Sequence, residues 1–504
     1  MRKGVALLAL LATGCMSLEP HLATPDPAIP QSWPAGDVNL RQAEAELPAV
    51  TYRQIFTDPR LQTLIAQALV NNRDMMTAAA NIDAAREQYF IQRAQQFPQL
   101  NANAGATLSG RRSGSSNNNG TGSGSGSGSN NSGSGVSADY NLGLTVPSFE
   151  LDLFGRLRSL THAQLEQYLA TEAGARSTRL TLVANIADGW LNFAGDASLL
   201  VIAQETLKSA QESVRITRLR LEGGIAPRTD LDQAQLILSQ AQSDLARQKT
   251  ALEQDVNALQ LLVGAPIDRA LLPSSIDDAL PKIGELPPGI NSYVLLRRPD
   301  VVQAEYQLRS ANAYIGAARA ALFPRITLTG LLGFASGALG SLFTGGTFGW
   351  STAANASYTI FQAGAGHANV RLTEAQRNAA LASYQKTVQT AFREVADALA
   401  RHATMDDQLA AAQRQQAAGA DNYLLTEARY REGVDPFLNV LVAQRAYYTA
   451  QTELVQTKLT AGHNRVDLYQ SLGGDPLIAN APVCDVTYVS SASSAKLASQ
   501  CSPM

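Results

Sequence analysis

Residues 74–98 read DMMTAAANIDAAREQYFIQRAQQFP, and residues 300–324 read DVVQAEYQLRSANAYIGAARAALFP. Laid one on the other without a gap, they match Asp74 with Asp300, Ala78 with Ala304, Ala85 with Ala311, Arg93 with Arg319, Ala94 with Ala320 and Phe97-Pro98 with Phe323-Pro324. Further along, Glu222-Gly223 with Pro227 returns as Glu432-Gly433 with Pro436. Ala234-Gln235 returns as Ala443-Gln444, and Gly264 as Gly473. The chain is a tandem duplication with a period of about 210 to 230 residues, so whatever one half builds, the other builds again.

Each half has the same order of elements. First comes an alanine-rich helical stretch, Leu61 to Gln96 and again Val294 to Leu322. The Phe-Pro pair ends it, because the residue before proline is pushed out of helical geometry. Strands follow with a period of two. Leu100, Ala102, Ala104, Ala106 and Leu108 alternate with polar neighbours. Ile326, Leu328, Gly330, Leu332 and Phe334 do the same, although Leu331 blurs the alternation. The return strands carry Tyr140, Leu142, Leu144 and Val146, and then Trp350, Thr352, Ala354, Ala356, Tyr358 and Ile360. Strands are expected over about 99–109, 137–147, 325–335 and 348–361, each of the ~9 to 11 residues that cross a bilayer when tilted. Between the first two, residues 109–136 are almost entirely Ser, Gly and Asn, a composition that cannot bury enough apolar surface to offset its ordering entropy. A disordered loop is expected there.

After each hairpin comes a proline-free run, Gly155 to Glu222 and Ala363 to Glu432, long enough to span on the order of 100 Å as a helix. The heptad seam reads Leu200, Ala203, Leu207, Ala210, Val214, Thr217 and Leu221. Its partner helix reads Leu231, Ala234, Leu238, Ala241, Leu245, Gln248, Leu252, Asp255, Leu259 and Leu262. The second half repeats it with Val440, Ala443, Tyr447, Ala450, Leu454 and Leu468. These are antiparallel coiled-coil hairpins whose alanine-rich seams are too thin to stand alone, so lateral partners are implied.

The chain has 504 residues, with 40 Lys and Arg against 43 Asp and Glu, a net charge of −3 that excludes a polybasic nucleic-acid binder. Charged residues are 16%, below the typical quarter. No uninterrupted apolar run approaches the ~18 to 20 residues of a membrane-spanning helix. At the N-terminus, Arg2 and Lys3, the apolar Val5 to Ala12 and the small residues before Cys15 form an export signal over residues 1–14. The end of that signal resembles a lipoprotein cleavage site, with Ala12 where leucine is usual and Leu11 one position earlier. Cys15 is then the residue acylated, and Cys484 and Cys501 remain as a possible disulfide in an oxidising compartment.

Lipid tolerates sheets only as closed barrels, and four strands cannot close. Two chains would give eight strands and a barrel plugged by its own side chains, whereas three would give twelve and a pore. A homotrimer is expected.

Four segments carry a family resemblance over nearly the whole mature chain: FTDPRLQTLIAQALVNNRD (56–74), FELDLFGRLR (149–158), RRPDVVQAEYQLRSANAYIGAARAALFPRITLTG (297–330) and YREGVDPFLNVLVAQRAYYTAQ (430–451). They resemble the outer membrane factors of Gram-negative efflux systems, the TolC-like family, and within it the NodT-type lipoproteins. The resemblance implies a mainly α chain whose four strands join a trimeric 12-stranded barrel in the outer membrane, continued by a periplasmic coiled-coil tunnel. It implies a lipid-anchored exit duct, passively conducting what an RND-type inner-membrane pump expels through a periplasmic adaptor, with no cofactor beyond the lipid on Cys15. The divisions are residues 15–58 as an extended segment, 59–270 as the first repeat, 271–290 as a linker, 291–475 as the second repeat and 476–504 as a tail.

The same resemblance implies a closable tip at the turns between paired helices. Asp230 matches a bonding aspartate and Tyr430 its tyrosine partner, while Asp435 stands where the family has an arginine. Asn439 and Val442 stand where it has pore-narrowing aspartates, leaving Asp230 and Asp232 to supply acid. The alternative for Asp230 is a solvated helix cap. An enzyme is not expected: the five histidines show no metal-binding spacing, and no nucleotide-binding loop or zincin motif is present. A non-channel periplasmic tether or adhesin is the competing function, but it has no use for two identically placed alternating hairpins. Six methionines make no thioether stripe that would name a soft-metal cargo, and the cargo is not legible.

Overall fold

The computed structural model describes residues 17–22, 51–110, 136–284 and 292–473. The signal, Cys15, most of the glycine-serine loop and the tail with Cys484 and Cys501 lie outside the described residues.

The first helical stretch is two helices rather than one, α1 over Pro59–Asn71 and α2 over Arg73–Ala94. Asn72 breaks it. Its backbone is extended at φ −64 and ψ 134, and its side chain caps α2 by accepting from the Met75 N–H at 3.0 Å. Its amide also donates to the Leu262 carbonyl at 2.8 Å. The second repeat breaks at the equivalent place. Arg298 is extended at φ −61 and ψ 136, a six-residue 3₁₀ stretch, Ser292–Arg297, precedes it, and a later helix runs from Pro299 to Ala320. Arg298 donates to the Ser471 carbonyl at 3.0 Å, repeating the Asn72 contact with a longer side chain.

Four strands form one antiparallel sheet in the order β1 (Asn101–Gly110), β2 (Val136–Leu151), β3 (Arg325–Ser336) and β4 (Phe348–Ser357). Two strand lengths differ from expectation. β2 continues to Leu151 because a bulge between Val146 and Phe149 absorbs Pro147, which has no N–H for the ladder. β4 stops at Ser357, paired with Arg325, the first residue of β3. Tyr358 and Ile360 have no strand left beside them and are exposed.

Two helices of 67 residues follow the hairpins, α3 over Arg156–Glu222 and α5 over Ala365–Arg431, if the Pro299–Ala320 helix is α4B and their shorter partners, Arg228–Val263 and Phe437–Ser471, are α4A and α6. Buried Ala203, Ala210, Val214, Thr217, Ala234 and Ala241 confirm the expected seam phase. The most apolar part of α3 reaches a mean hydropathy of 1.2 over 18 residues, but 44% of that stretch is buried. It belongs to a central belt in which Ala184, Ile186, Ala187, Trp190 and Leu191 pack with Phe56, Leu61, Leu64, Leu259 and Val466. The Trp190 indole donates to the Leu271 carbonyl at 3.1 Å.

The turn alignment needs one correction. The left-handed glycines are Gly224 (φ 73) and Gly433 (φ 82), and Ile225 and Val434 donate to the carbonyls of Arg220 and Arg429, each at 2.9 Å. Gly223 is therefore the counterpart of Glu432, and Glu222-Gly223 does not superpose on Glu432-Gly433. The constant shift is 209 residues from the start of α3 to Gly264, whose counterpart is the equally left-handed Gly473.

Candidate functional site

Register places the side chains of the sheet in rows. Ala102 pairs with Leu144, Leu144 with Leu332 and Leu332 with Trp350. In the next row on that face stand Ala104, Leu142, Phe334 and Phe348. The opposite face has Asn103, Gly143, Gly333 and Gly349, and Leu331 falls there between Thr145 and Ser351. One face is thus apolar across all four strands. It is not covered: Leu144 is 42% and Trp350 69% exposed. The edges β1 and β4 pair with nothing among the described residues. In water such a sheet would expose both a large apolar patch and two unpaired backbone edges.

At the far end, the two hairpin tips are joined within one chain. Val214, Ala234, Tyr430, Phe437 and Val440 form a small apolar cluster there. Arg220 crosses between the tips: its Nη1 donates to the Tyr430 carbonyl at 2.6 Å, and its guanidinium lies 4.5 Å from the centre of the Tyr430 ring. Next along, Gln444 donates to the Ser209 hydroxyl at 3.1 Å, which is itself 2.7 Å from the Tyr423 hydroxyl.

The tip residues singled out in the sequence are distributed as follows. Tyr430 is buried, and its hydroxyl has no partner among the described residues. Asp230 lies in the first turn of α4A, where a carboxylate faces the positive end of the helix. No hydrogen bond joins it to Tyr430 within the chain. Asp232 is 3.9 Å from Arg228. Asp435 accepts from Arg429 at 2.7 and 3.2 Å, which holds its carboxyl below the usual range. Asn439 and Val442 are exposed. The guanidinium on Tyr430 therefore comes from Arg220, a residue that the sequence reading passed over. Its partner is 210 positions away, and the only signal was that Arg220 and Arg429 occupy equivalent turn positions.

A second group was also passed over. The segment 17–22 lies against α3 and α4B, where Glu19 and Glu166 hold the two ring nitrogens of His162 at 3.1 and 3.2 Å. The two carboxylates, Glu166 foremost, raise the His162 pKa to about 10. Asn312 donates to the Pro20 carbonyl at 2.8 Å.

An uncovered apolar sheet joined to long helical hairpins is matched in known proteins. Residues 64–265 and 291–474 match the family described as outer membrane efflux protein. The chain belongs to that family. The toluene efflux pump outer membrane protein TtgC of Pseudomonas putida is 40% identical over 472 residues, 93% of this chain and 94% of the relative. The cation efflux system protein CusC of Escherichia coli is 35% identical over 467 residues, 93% of this chain and 98% of the relative. Among solved structures, a crystal structure of CusC covers 91% of this chain and 100% of its own at TM-score 0.79 and 33% identity. The open state of the MtrE outer membrane channel of Neisseria gonorrhoeae covers 91% and 98% at TM-score 0.78 and 33% identity. The efflux channel family thus accounts for both ends: the apolar face meets the outer membrane, and the helices extend into the periplasm. A tether without a channel is set aside by the same finding, since the family is one of transport channels rather than adhesins.

Proposed function

We propose that three copies of this chain close a 12-stranded barrel and continue it as a helical tunnel, the exit duct for an RND-type inner-membrane pump reached through a periplasmic adaptor. The observation that carries this is the four-stranded sheet with an uncovered apolar face and two open edges. A bilayer accepts such a sheet only when its edges are joined. Three copies are the fewest that leave a lumen. The relatives named for toluene and for cations share this architecture, which supports a duct that leaves the choice of cargo to the pump.

Cys15 is the acylated residue in this reading. It precedes by a few residues the segment that docks on His162, itself about 10 Å down α3 from the sheet, so the lipid is held near the membrane. Palmitate labelling that survives Cys15→Ser would refute it. At the tips, the Asp230 carboxylate and the Tyr430 hydroxyl have no hydrogen-bond partner among the described residues. Each is the partner the other needs across a boundary between copies, where Asp232, Asp435, Asn439 and Val442 lie close by in sequence. Closure of the barrel is tested by cysteine pairs scanned along Ala102–Ala106 and Thr352–Ala356. Disulfides between β1 of one copy and β4 of the next should give a ladder that ends at three chains; a ladder ending at two, or continuing beyond three, overturns the trimer.

A further inference from the structure

The seam between α3 and α4A contains two acids, Asp196 and Asp255. Asp196 continues the α3 seam four residues before Leu200 and Asp255 stands on the α4A seam; both are half-buried, and their carboxyl groups are close enough to act on one another. Asp255 Oδ2 is buried with no partner among the described residues. Counted along either helix, the pair is about 40 Å from the turn at Gly224. On these two helices the buried belt core ends at this level, with only Leu199 and Ile202 packed against its edge beyond it. Toward the membrane, Ala187, Trp190, Ala194, Val256 and Leu259 belong to the belt core. Toward the tip, the seam is narrowed to Ala203, Ala210, Ala234 and Ala241 until the small cluster around Tyr430. The two acids sit where a firmly packed segment gives way to a thinly packed arm.

The duplication supplies its own control. A shift of 209 residues carries Asp196 onto Met405 and Asp255 onto Asn464, both buried. Neither of these titrates, and Asn464 is held by Arg401 at 3.2 Å. The second hairpin has the same geometry at this level without the acids.

We infer that the Asp196–Asp255 pair is a proton-operated brace that seats the arm of the first hairpin, so that periplasmic pH acts on the tips through this hairpin and not through the second. With one proton between them, one carboxyl donates to the other and the helices are held together. With none, two like charges face each other in a half-buried seam and push the helices apart. Several charged groups on the surrounding elements are engaged elsewhere. Arg60 bonds Asp58 and Asp278, Lys458 bonds Asp277, His463 bonds Asp188, and Glu253 bonds Arg269. Burial first, and then the charge of Asp196, raise the Asp255 pKa to about 7.

The sign follows. A carboxyl whose folded pKa lies above its unfolded value favours the folded seam at low pH, and the advantage is lost as pH rises through the interval up to about 7. The functional consequence rests on the duct reading, but the test does not. In the reconstituted full-length protein, a spin label at Ile225→Cys reports the first tip and one at Val434→Cys the second, with distances between copies measured from pH 5.5 to 8.5. The first label should move with a midpoint near 7, and the second by less, only as far as the Arg220–Tyr430 contact carries it. Asp255→Asn, which installs the residue of the second repeat, should hold the first tip in its low-pH position, and Asp196→Asn provides the same test if that variant does not assemble. A protonated-carboxyl infrared band lost near neutral pH should be absent from either variant. PH-independent tips in the wild type, or a transition that survives both substitutions, overturns the brace. Copies that fail to associate as a trimer while the infrared band titrates would instead refute the duct reading and leave the shared proton standing.

Discussion

Arg220→Ala tests what holds the tips together. The side chain makes one charged hydrogen bond to the Tyr430 carbonyl, at 2.6 Å, and one stacking contact with the Tyr430 ring, at 4.5 Å. A hydrogen bond to a charged group contributes about 1.5 to 3 kcal/mol, and a cation over an aromatic face at a partly exposed site contributes roughly 0.5 to 1 kcal/mol. The tip borders solvent, so the lower end of the sum, about 2 kcal/mol per chain, is the appropriate figure. That corresponds to roughly 30-fold per chain in the balance between joined and separated tips. In the proposed trimer, if its copies open together, it is about 6 kcal/mol, enough to convert a minor open state into the major one. The assay is single-channel conductance in a planar bilayer, alongside entry of a large antibiotic into cells; both should rise. Arg220→Lys should fall between wild type and alanine, because lysine retains a charged donor but not the planar stack. If Arg220→Ala conducts like the wild type while Asp230→Ala does not, the contact between the hairpins of one chain is not the restraint, and the closure lies between copies.

Three further outcomes follow from the structure. Trp190→Ala removes a fully buried ring and leaves the Leu271 carbonyl without its donor, so thermal unfolding should show a loss of about 3 to 5 kcal/mol. Gly264→Ala should lower the unfolding temperature, since its Cβ would overlap the Asn71 carbonyl oxygen on a backbone at φ 73. The docking of segment 17–22 should be pH-dependent. The His162 pKa is raised, so its contribution is complete below the ordinary histidine value near 6.5 and is lost as pH rises through about 10. Protease protection of residues 17–22 should fall between pH 8 and 11, and His162→Gln should show that loss already at neutral pH.

Most of the architecture was legible because duplication writes every signal twice. Phe97-Pro98 and Phe323-Pro324 located the helix ends, and the alternation from Leu100 and from Ile326 gave the strands. The blur at Leu331 had a plain cause once register was known: it stands on the small, polar face beside Thr145 and Ser351. The break at Asn72 was harder to see. An asparagine in an alanine-rich helix is tolerable by propensity, and what makes it a cap is the Leu262 carbonyl 190 positions away. The turn register was hidden by Gly223-Gly224, two glycines of which only the second is left-handed. The long-range side-chain contacts were the least legible. Arg220 on Tyr430 and Glu19 on His162 are pairings across distant parts of the chain, and local pattern contains nothing about them.

The equal length of α3 and α5 has a mechanical consequence. Both hairpins start from the same sheet and run 67 residues before turning, so their turns finish level. In a ring of three chains, six turns would lie flush in one plane. A partner arriving end-on would meet all of them at once, with no lead contact and no tilt. Inserting one residue into α3 alone would raise its turn by about 1.5 Å and rotate it by roughly a quarter-turn. The rim would then be uneven at three places. A level rim therefore depends on helix length as well as on side chains, and an insertion in one repeat would keep it level only with a matching insertion in the other.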